Sequence, residues 1–406
     1  MQRRELLKYF SIAPLAGAAA GLSLQPALAA PVPVPAKRDL FKELGIRTFI
    51  NAAGTFTMMT GSLMHDYVLD AIQNGASEFC MLDEVQDKVG EKIAALVHSE
   101  AAVVTSGAFS AMTLGLAGIL TGMDQKKVEQ LPHLDGTGMK SEVIIQKSHE
   151  IVYNHALKNT GCKLIYVETA DEVEKAINEK TALLHFLNIE ADKGKIMHEE
   201  WVAIGRKHGI PTSIDIAADV PPVSNLWKFN DMGFSFVAIS GGKAIRGPQS
   251  AGLLMGKKEI VAAARLSMPP RGFNVGRGFK VNKEEILGMY VAIERYINQD
   301  HDKEWKEWEA ATAQIENAVK PVKGVTTKVT VPPLGNITPT LQISWDSAVV
   351  KLTGKDLQEK LRNGNPSIEI GGVQDNSIQT TVWMLKQGQE KIVAARLKEE
   401  LTKASA

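Results

Sequence analysis

Between about residue 65 and residue 300, short apolar runs alternate with stretches whose apolar residues recur at helical spacing. The runs are AAVV at 101–104, VII at 143–145, LIYV at 164–167, LLHFL at 183–187, SIDI at 213–216, FVAI at 236–239 and GLLM at 252–255. Runs that are apolar throughout, rather than alternating, belong to strands covered on both faces. The helix-period stretches between them, such as 172–178 and 199–207, supply the crossovers of a mostly parallel sheet. The pattern predicts an α/β domain with seven strands. A glycine-rich turn, too short for a crossover helix, separates the last two runs, so one of them is expected to lie antiparallel to its neighbour.

Past residue 285 the pattern changes. A long helix-like stretch at 283–318 leads to strand-like segments at 326–331 and 340–344, a turn from Asn363 to Pro366, a further strand near 380–385 and a closing helix from Glu390. This predicts a smaller α+β domain at 286–406, joined through a connecting helix to a large domain at 65–285. Residues 30–64 are read as a linker and N-terminal segment, beginning with Pro31, Pro33 and Pro35, which favour extended chain.

The first 29 residues follow a different logic. Arg3 and Arg4 precede Leu6, Leu7 and Lys8, an apolar run of small residues occupies 12–24, and Ala27-Leu28-Ala29 forms a small-residue cleavage site. These features make a signal peptide of the twin-arginine type, cleaved after Ala29. That route carries folded proteins, so the expectation is a periplasmic protein with the twin-arginine translocation machinery as its partner during export. The alternative is an uncleaved membrane anchor, although the run is short and broken by Pro14 against the roughly 20 residues that a span needs.

Composition narrows the class. The 406 residues carry 46 basic and 46 acidic side chains and are 44% hydrophobic, which excludes a disordered or fibrous chain. Zero formal charge supplies no field to gather nucleic acid. Loss of residues 1–29 removes Arg3, Arg4, Lys8 and Glu5 and leaves the mature chain at −2. Cys80 and Cys162 have no metal-ligand spacing, and two buried free thiols are expected rather than one bridge.

Three features fall at the ends of predicted strands, where open α/β sheets place ligands. Thr105-Ser106-Gly107-Ala108 follows the 101–104 run and opens a helix, where free N–H groups and hydroxyls suit a phosphate; the same residues also suit an ordinary helix start. Asp215 ends an otherwise apolar strand, and an acid there needs a cationic or hydrogen-bonding partner, or else caps the next element, a duty Asp219 could equally perform. Ser240-Gly241-Gly242-Lys243 follows the 236–239 run, and its glycines leave space around the lysine. Together the three supply what pyridoxal 5′-phosphate needs: a phosphate cradle, a carboxylate for the ring nitrogen and a lysine amine for the aldehyde. His149-Glu150 with His155 is no zinc motif, because the second histidine follows at six residues rather than four.

The segment 213–256, SIDIAADVPPVSNLWKFNDMGFSFVAISGGKAIRGPQSAGLLMG, resembles the selenocysteine synthase-like family of pyridoxal-phosphate enzymes, which have the aspartate-aminotransferase fold (fold type I). The best-fitting branch is that of bacterial ammonia-lyases and dehydratases acting on amino-sugar acids such as D-glucosaminate 6-phosphate. RTFINAAG at 47–54, residues 104–108 and GRGFKVNKEE at 276–285 extend the resemblance over nearly all of the mature chain. By that resemblance Lys243 is the catalytic, cofactor-bound lysine and Asp215 the partner of the ring nitrogen. Ser106, Gly107 and Ala108 hold the phosphate with Ser240, and His149 either stacks on the ring or merely opens a helix. Among Arg47, Arg246, Arg271 and Arg277, guanidinium groups able to clamp a carboxylate or phosphate, Arg271 and Arg277 are taken for the substrate.

The implied activity is α,β-elimination on an amino acid or amino-sugar acid, with Lys243 taking the α proton and a keto acid and ammonia as products. Selenium transfer to a seryl-tRNA shares its first half, but the export signal, the balanced charge and the absence of an added domain ahead of Arg47 argue against a tRNA partner. An aminotransferase or racemase begins with the same proton removal, and a periplasmic binding protein on this scaffold would have no chemical use for both Asp215 and Lys243. The resemblance also implies a homodimer, or a larger even assembly, with the site at the interface.

Overall fold

Twelve strands run through residues 38–405, which are the residues described by the computed structural model. They are β1 (Ile50–Ala52), β2 (Ala101–Thr105), β3 (Glu142–Gln146), β4 (Lys163–Val167), β5 (Thr181–Leu187), β6 (Thr212–Asp215), β7 (Phe236–Ser240), β8 (Gly252–Gly256), β9 (Val325–Thr330), β10 (Thr340–Trp345), β11 (Ile368–Gln374) and β12 (Ser377–Thr381). The expected signal peptide lies outside the described residues. Residues 38–47 form a unit of their own containing one helical turn, Leu40–Glu43, started by Asp39, whose side chain accepts from Lys42 N–H.

All seven apolar runs are strands of one sheet, in the order β2-β8-β7-β6-β5-β3-β4. Its interior strands are buried on both faces, which is why their sequences are apolar without alternation. β8 runs antiparallel to both β2 and β7, and the other pairings are parallel. The free edge of β2 is satisfied by a side chain. Gln86, buried in the Leu82–Leu96 helix, donates to Val104 O at 2.8 Å and accepts from Val104 N–H at 3.1 Å, as a neighbouring strand would.

The second sheet has the order β1-β11-β12-β10-β9 and is antiparallel except for the β1–β11 pair. Ile50–Ala52 is no part of a linker, because it forms the parallel edge strand beside β11. β11 itself was not expected, and the strand expected near 380–385 is β12, which ends at Thr381. The single long helix expected at 283–318 is two, Lys283–Asn298 and His301–Val319, because Asp300 turns its side chain to the Lys303 N–H at 2.9 Å and starts the second. Both cysteines are free, but only Cys162 is buried and Cys80 is exposed.

Close packing governs the helices against the large sheet. In the Gly107–Thr121 helix, a Cβ on Gly118 would stand 2.7 Å from Ile260 O and 2.8 Å from Ala264 N, backbone atoms of the Lys258–Leu266 helix. Gly118→Ala should therefore lower stability by about 1–3 kcal/mol despite its better helix propensity, read as a fall in midpoint of denaturant unfolding.

Candidate active site

The site lies where β2, β8, β7 and β6 end or begin at one edge of the large sheet. The pairing register brings Thr105, Gly252 and Ser240 into one row, since Gly252 pairs with both of the others. From Thr105 the chain turns through Ser106 and Gly107, whose φ of +83° only glycine adopts readily, into the Gly107–Thr121 helix. Ser106 makes no side-chain cap; its hydroxyl donates to Ser110 Oγ at 3.2 Å. The first N–H groups of this 15-residue helix thus keep their affinity for an anion, and no atom lies within 4 Å of where a Gly107 Cβ would be. On the other side the space is tight. A Cβ at Gly252 would come 2.5 Å from Gly107 C and 2.8 Å from Ala108 N, so β8 must present glycine to let the helix start approach the sheet.

Asp215 ends β6 with 5% exposure, and its Oδ1 accepts the Ala217 N–H at 2.8 Å. Burial pushes its carboxyl above the ordinary range, opposed by that N–H and by Lys243. Lys243 stands three residues beyond β7. Burial lowers the pKa of its amine, and the charges of Asp215 and Asp219 raise it in part. The lysine loop is compressed from outside. A Cβ on Gly61 would lie 2.5 Å from Gly242 O, Ser62 N–H donates to that same oxygen at 3.0 Å, and Gln249 Nε2 donates to Thr57 O at 3.2 Å. Arg246, held at φ +53°, donates to Trp383 O at 2.5 Å and so ties the loop to the turn after β12.

The other expected residues divide. His149 is fully buried: its Nδ1 accepts the Leu187 N–H at 3.2 Å and its ring meets Phe186 edge-on, so no ring face is open for stacking. Arg271 spends its guanidinium on Asp83, at 3.2 and 3.4 Å, an acid it shares with Arg265. Arg277 is exposed and has no side-chain ion pair or hydrogen bond among the described residues. Asp219, read from the sequence as a cap, and Asn188, not singled out at all, both belong beside Asp215 and Lys243. The spacing of Asp215 and Asp219 within one strand-end motif was the only signal for the first; the second has none.

Residues 82–270, which include Ser106, Gly107, Ala108, Asp215, Ser240 and Lys243, match the model of the aminotransferase class-V family. This span is similar to an aminotransferase class-V domain. Over most of its length the chain is similar to the D-glucosaminate-6-phosphate ammonia lyase of Salmonella typhimurium, 24% identical over 374 residues that make up 89% of this chain and 97% of the relative. A 5'-C-glycyluridine monooxygenase-decarboxylase of Streptomyces is 26% identical over 81% of this chain and 83% of its own, and an L-seryl-tRNA(Sec) selenium transferase of Aquifex aeolicus is 24% identical over 52% and 53%. A solved structure of D-glucosaminate-6-phosphate ammonia-lyase superposes with a TM-score of 0.78 at 23% identity, covering 90% of this chain and 99% of that one, which shows a common fold. A class-V match points to pyridoxal 5′-phosphate as the group for this site to hold. Its donors suit that cofactor: an uncapped helix start with an open glycine for a phosphate, a buried carboxylate for a ring nitrogen and a half-buried amine for an aldehyde.

Three histidines, His149, His185 and His198, are buried beside this edge of the large sheet, and burial pushes them from 6.5 down to about 4, about 3 and about 4. In the unfolded chain they bind protons as pH falls through 6.5, while the folded chain stays unprotonated until about 4, so stability is lost as pH drops through that interval. Each contributes a slope of about 1.4 kcal/mol per pH unit. Replacing His198 with Gln should remove one such contribution, measured as a shallower dependence of unfolding free energy on pH between 6.5 and 4.

Proposed function

We propose that the protein is a lyase that uses pyridoxal 5′-phosphate to carry out α,β-elimination on an amino acid or amino-sugar acid, in which the bonds from Cα to hydrogen and from Cβ to its substituent break, the substituent leaves, and hydrolysis of the unsaturated product by water releases ammonia and a keto acid. The observation that carries the reading is the similarity to an ammonia lyase over 97% of that relative's length, with Asp215 and Lys243 both in place at the strand ends. Ser106, Gly107 and Ala108 hold the cofactor phosphate on the helix start, with the Ser240 hydroxyl beside them. Asp215 keeps a proton on the ring nitrogen. When bound, the cofactor supplies an electron sink for the charge left at the substrate's α carbon. With the cofactor bound, Lys243 would take the α proton, which its burial favours because a lowered amine pKa leaves more of it uncharged. Arg277, uncommitted in the exposed loop, is the carboxylate clamp in preference to Arg271.

In this reading the chain has a large domain at 65–285 and a smaller one at 286–406, to which β1 also belongs. A homodimer is part of the reading. Phe56, Met58, Leu63, Phe79, Met81 and Phe273 are exposed on segments that border the lysine loop or the Arg271–Asp83 pair, and a second copy would cover them. The leader at 1–29 sends the folded, cofactor-loaded chain to the periplasm by the twin-arginine route.

Purified protein should show the visible absorption band of a lysine-bound pyridoxal cofactor and release ammonia without an added keto acid. Lys243→Ala should lose the band and at least about 10²–10⁴-fold in turnover. Release that depends on an added keto-acid acceptor would make the enzyme a transaminase instead. For export, replacing Arg3 and Arg4 together with Lys should retain the protein in the cytoplasmic fraction at its uncleaved mass, while the wild type accumulates in the periplasm with its N-terminus at Ala30; equal fractionation of the two would rule out the twin-arginine route.

A further inference from the structure

Asp215 has a companion acid. Asp219 stands four residues further on, across the turn that follows β6, with 1% exposure. It starts no helix: the next one begins at Asn225 after Ser224, and the Asn225 side chain donates to the Asp219 backbone oxygen at 2.6 Å. Two remote segments act on its carboxylate. Oδ1 accepts the Gly335 N–H at 3.1 Å, and the side chain of Asn188, the first residue after β5, stands near enough to favour its ionised form. Asn188 Oδ1 is itself engaged by His198 Nε2 at 2.7 Å. The neighbouring Asn336 N–H donates to Ala218 O at 2.7 Å, so the 335–336 loop is pinned to the same turn twice.

Those bonds alone would be served by asparagine, which presents the same acceptor without burying a charge. A buried carboxyl with no lysine or arginine in ion-pair contact among the described residues is expensive and calls for a reason. β6 and β7 are parallel neighbours, with Asp215 paired to Ala238, so the turn that carries Asp219 and the loop that carries Lys243 leave the same end of adjacent strands; the charges acting on Asp219 are those of Asp215 and Lys243, the acid and the base of the site itself. We infer that Asp219 is a positioning residue whose carboxylate sets how firmly Lys243 holds its proton.

The physical basis is a balance at one amine. Burial disfavours the charged form of Lys243, and each nearby carboxylate favours it. If Asp215 is engaged by the ring nitrogen, as the proposed function has it, the negative charge left to act on the lysine is that of Asp219. Burial pushes the Asp219 carboxyl up to about 7, with Asp215 reinforcing the rise and Asn188, Gly335 and Lys243 opposing it. Its ionisation therefore changes near neutrality, where an ordinary aspartate is already fully charged. The Gly335 and Asn188 contacts favour the ionised form, so the position of the small-sheet loop at 335–336 and the charge at Lys243 are linked.

The test is the titration of Lys243 in the full chain after bound cofactor has been released with hydroxylamine. Competitive acetylation with acetic anhydride across pH, read at Lys243 by mass spectrometry, is compared in wild type, Asp219→Asn and Asn188→Ala. Removing the carboxylate should lower the Lys243 pKa by about one unit, which is tenfold more uncharged amine at a fixed pH. Asn188→Ala keeps the carboxyl but removes the side chain that favours its ionised form, so it should move the titration the same way by less; it also carries the test if Asp219→Asn does not fold. A Lys243 titration that is unchanged in the variants that fold overturns the inference and leaves Asp219 a structural tie. Because this readout needs no cofactor, it is separate from the fate of the proposed function: a chain that never develops the visible band but shows the shift loses the lyase reading and keeps this one.

Discussion

The approach of the Gly107 helix start to β8 is the constraint on which the site depends. β8 is inserted antiparallel between β2 and β7, which puts Gly252 in register with both Thr105 and Ser240. Any side chain at Gly252 would strike the backbone at Gly107, Ala108 and Ile239. With glycine there, the N-terminus of a buried helix lies against the ends of three strands, its N–H groups uncapped. Everything else in the site is placed relative to that contact: Ser240 one step across the sheet, Lys243 three residues past β7, and Asp215 at the end of the next strand.

Burial gives this arrangement its chemistry. Asp215 and Asp219 are removed from bulk water and Lys243 is half-buried, so each is biased toward its uncharged form, and the charges of both acids act on the lysine. In water the same groups would be insulated from one another and fully ionised at neutral pH. The site is also held from several directions. The Gly61–Ser62 segment presses on Gly242, Arg246 reaches Trp383 beyond β12, and Gly335 holds Asp219. Two of these three ties come from the second sheet's connections. That sheet is therefore part of the active site's support as well as a neighbour to it.

The elements that could be read along the chain were those whose character is local. Seven buried strands were legible because a strand covered on both faces is apolar at every position, and the antiparallel insertion of β8 followed from the shortness of its connection. β1 and β11 were missed for the converse reason. Ile50–Ala52 is three residues long, and β11 reads IEIGGVQ, with Glu369 paired to Arg362 and two glycines at its bulge, so neither shows an apolar run. The helix break at Asn298–Asp300 escaped because apolar residues recur at helical spacing on both sides of it, and only the Asp300 side chain marks it.

At the site the same boundary holds. Lys243, Asp215 and the Ser106–Ala108 turn could be named from sequence, since a lysine among glycines, an acid in an apolar strand and small residues at a helix start are local anomalies with a chemical reason. What the sequence could not decide is which polar groups are already spent. Arg271 and Arg277 look alike in one loop, yet one is paired with Asp83 and the other is exposed; His149 follows β3 at the sheet's edge, yet it is enclosed against Phe186 and Leu187. Asp219 looked like a cap and proves to be acted on by residues 31 positions before it and 116 after it. By itself the sequence determined the strands, the class of chemistry and the residues that must carry it, because those follow from burial and residue type. Only the tertiary structure decided which side chains remain available and which acids share the lysine's surroundings, because hydrogen bonds between distant segments leave no periodic trace in the chain.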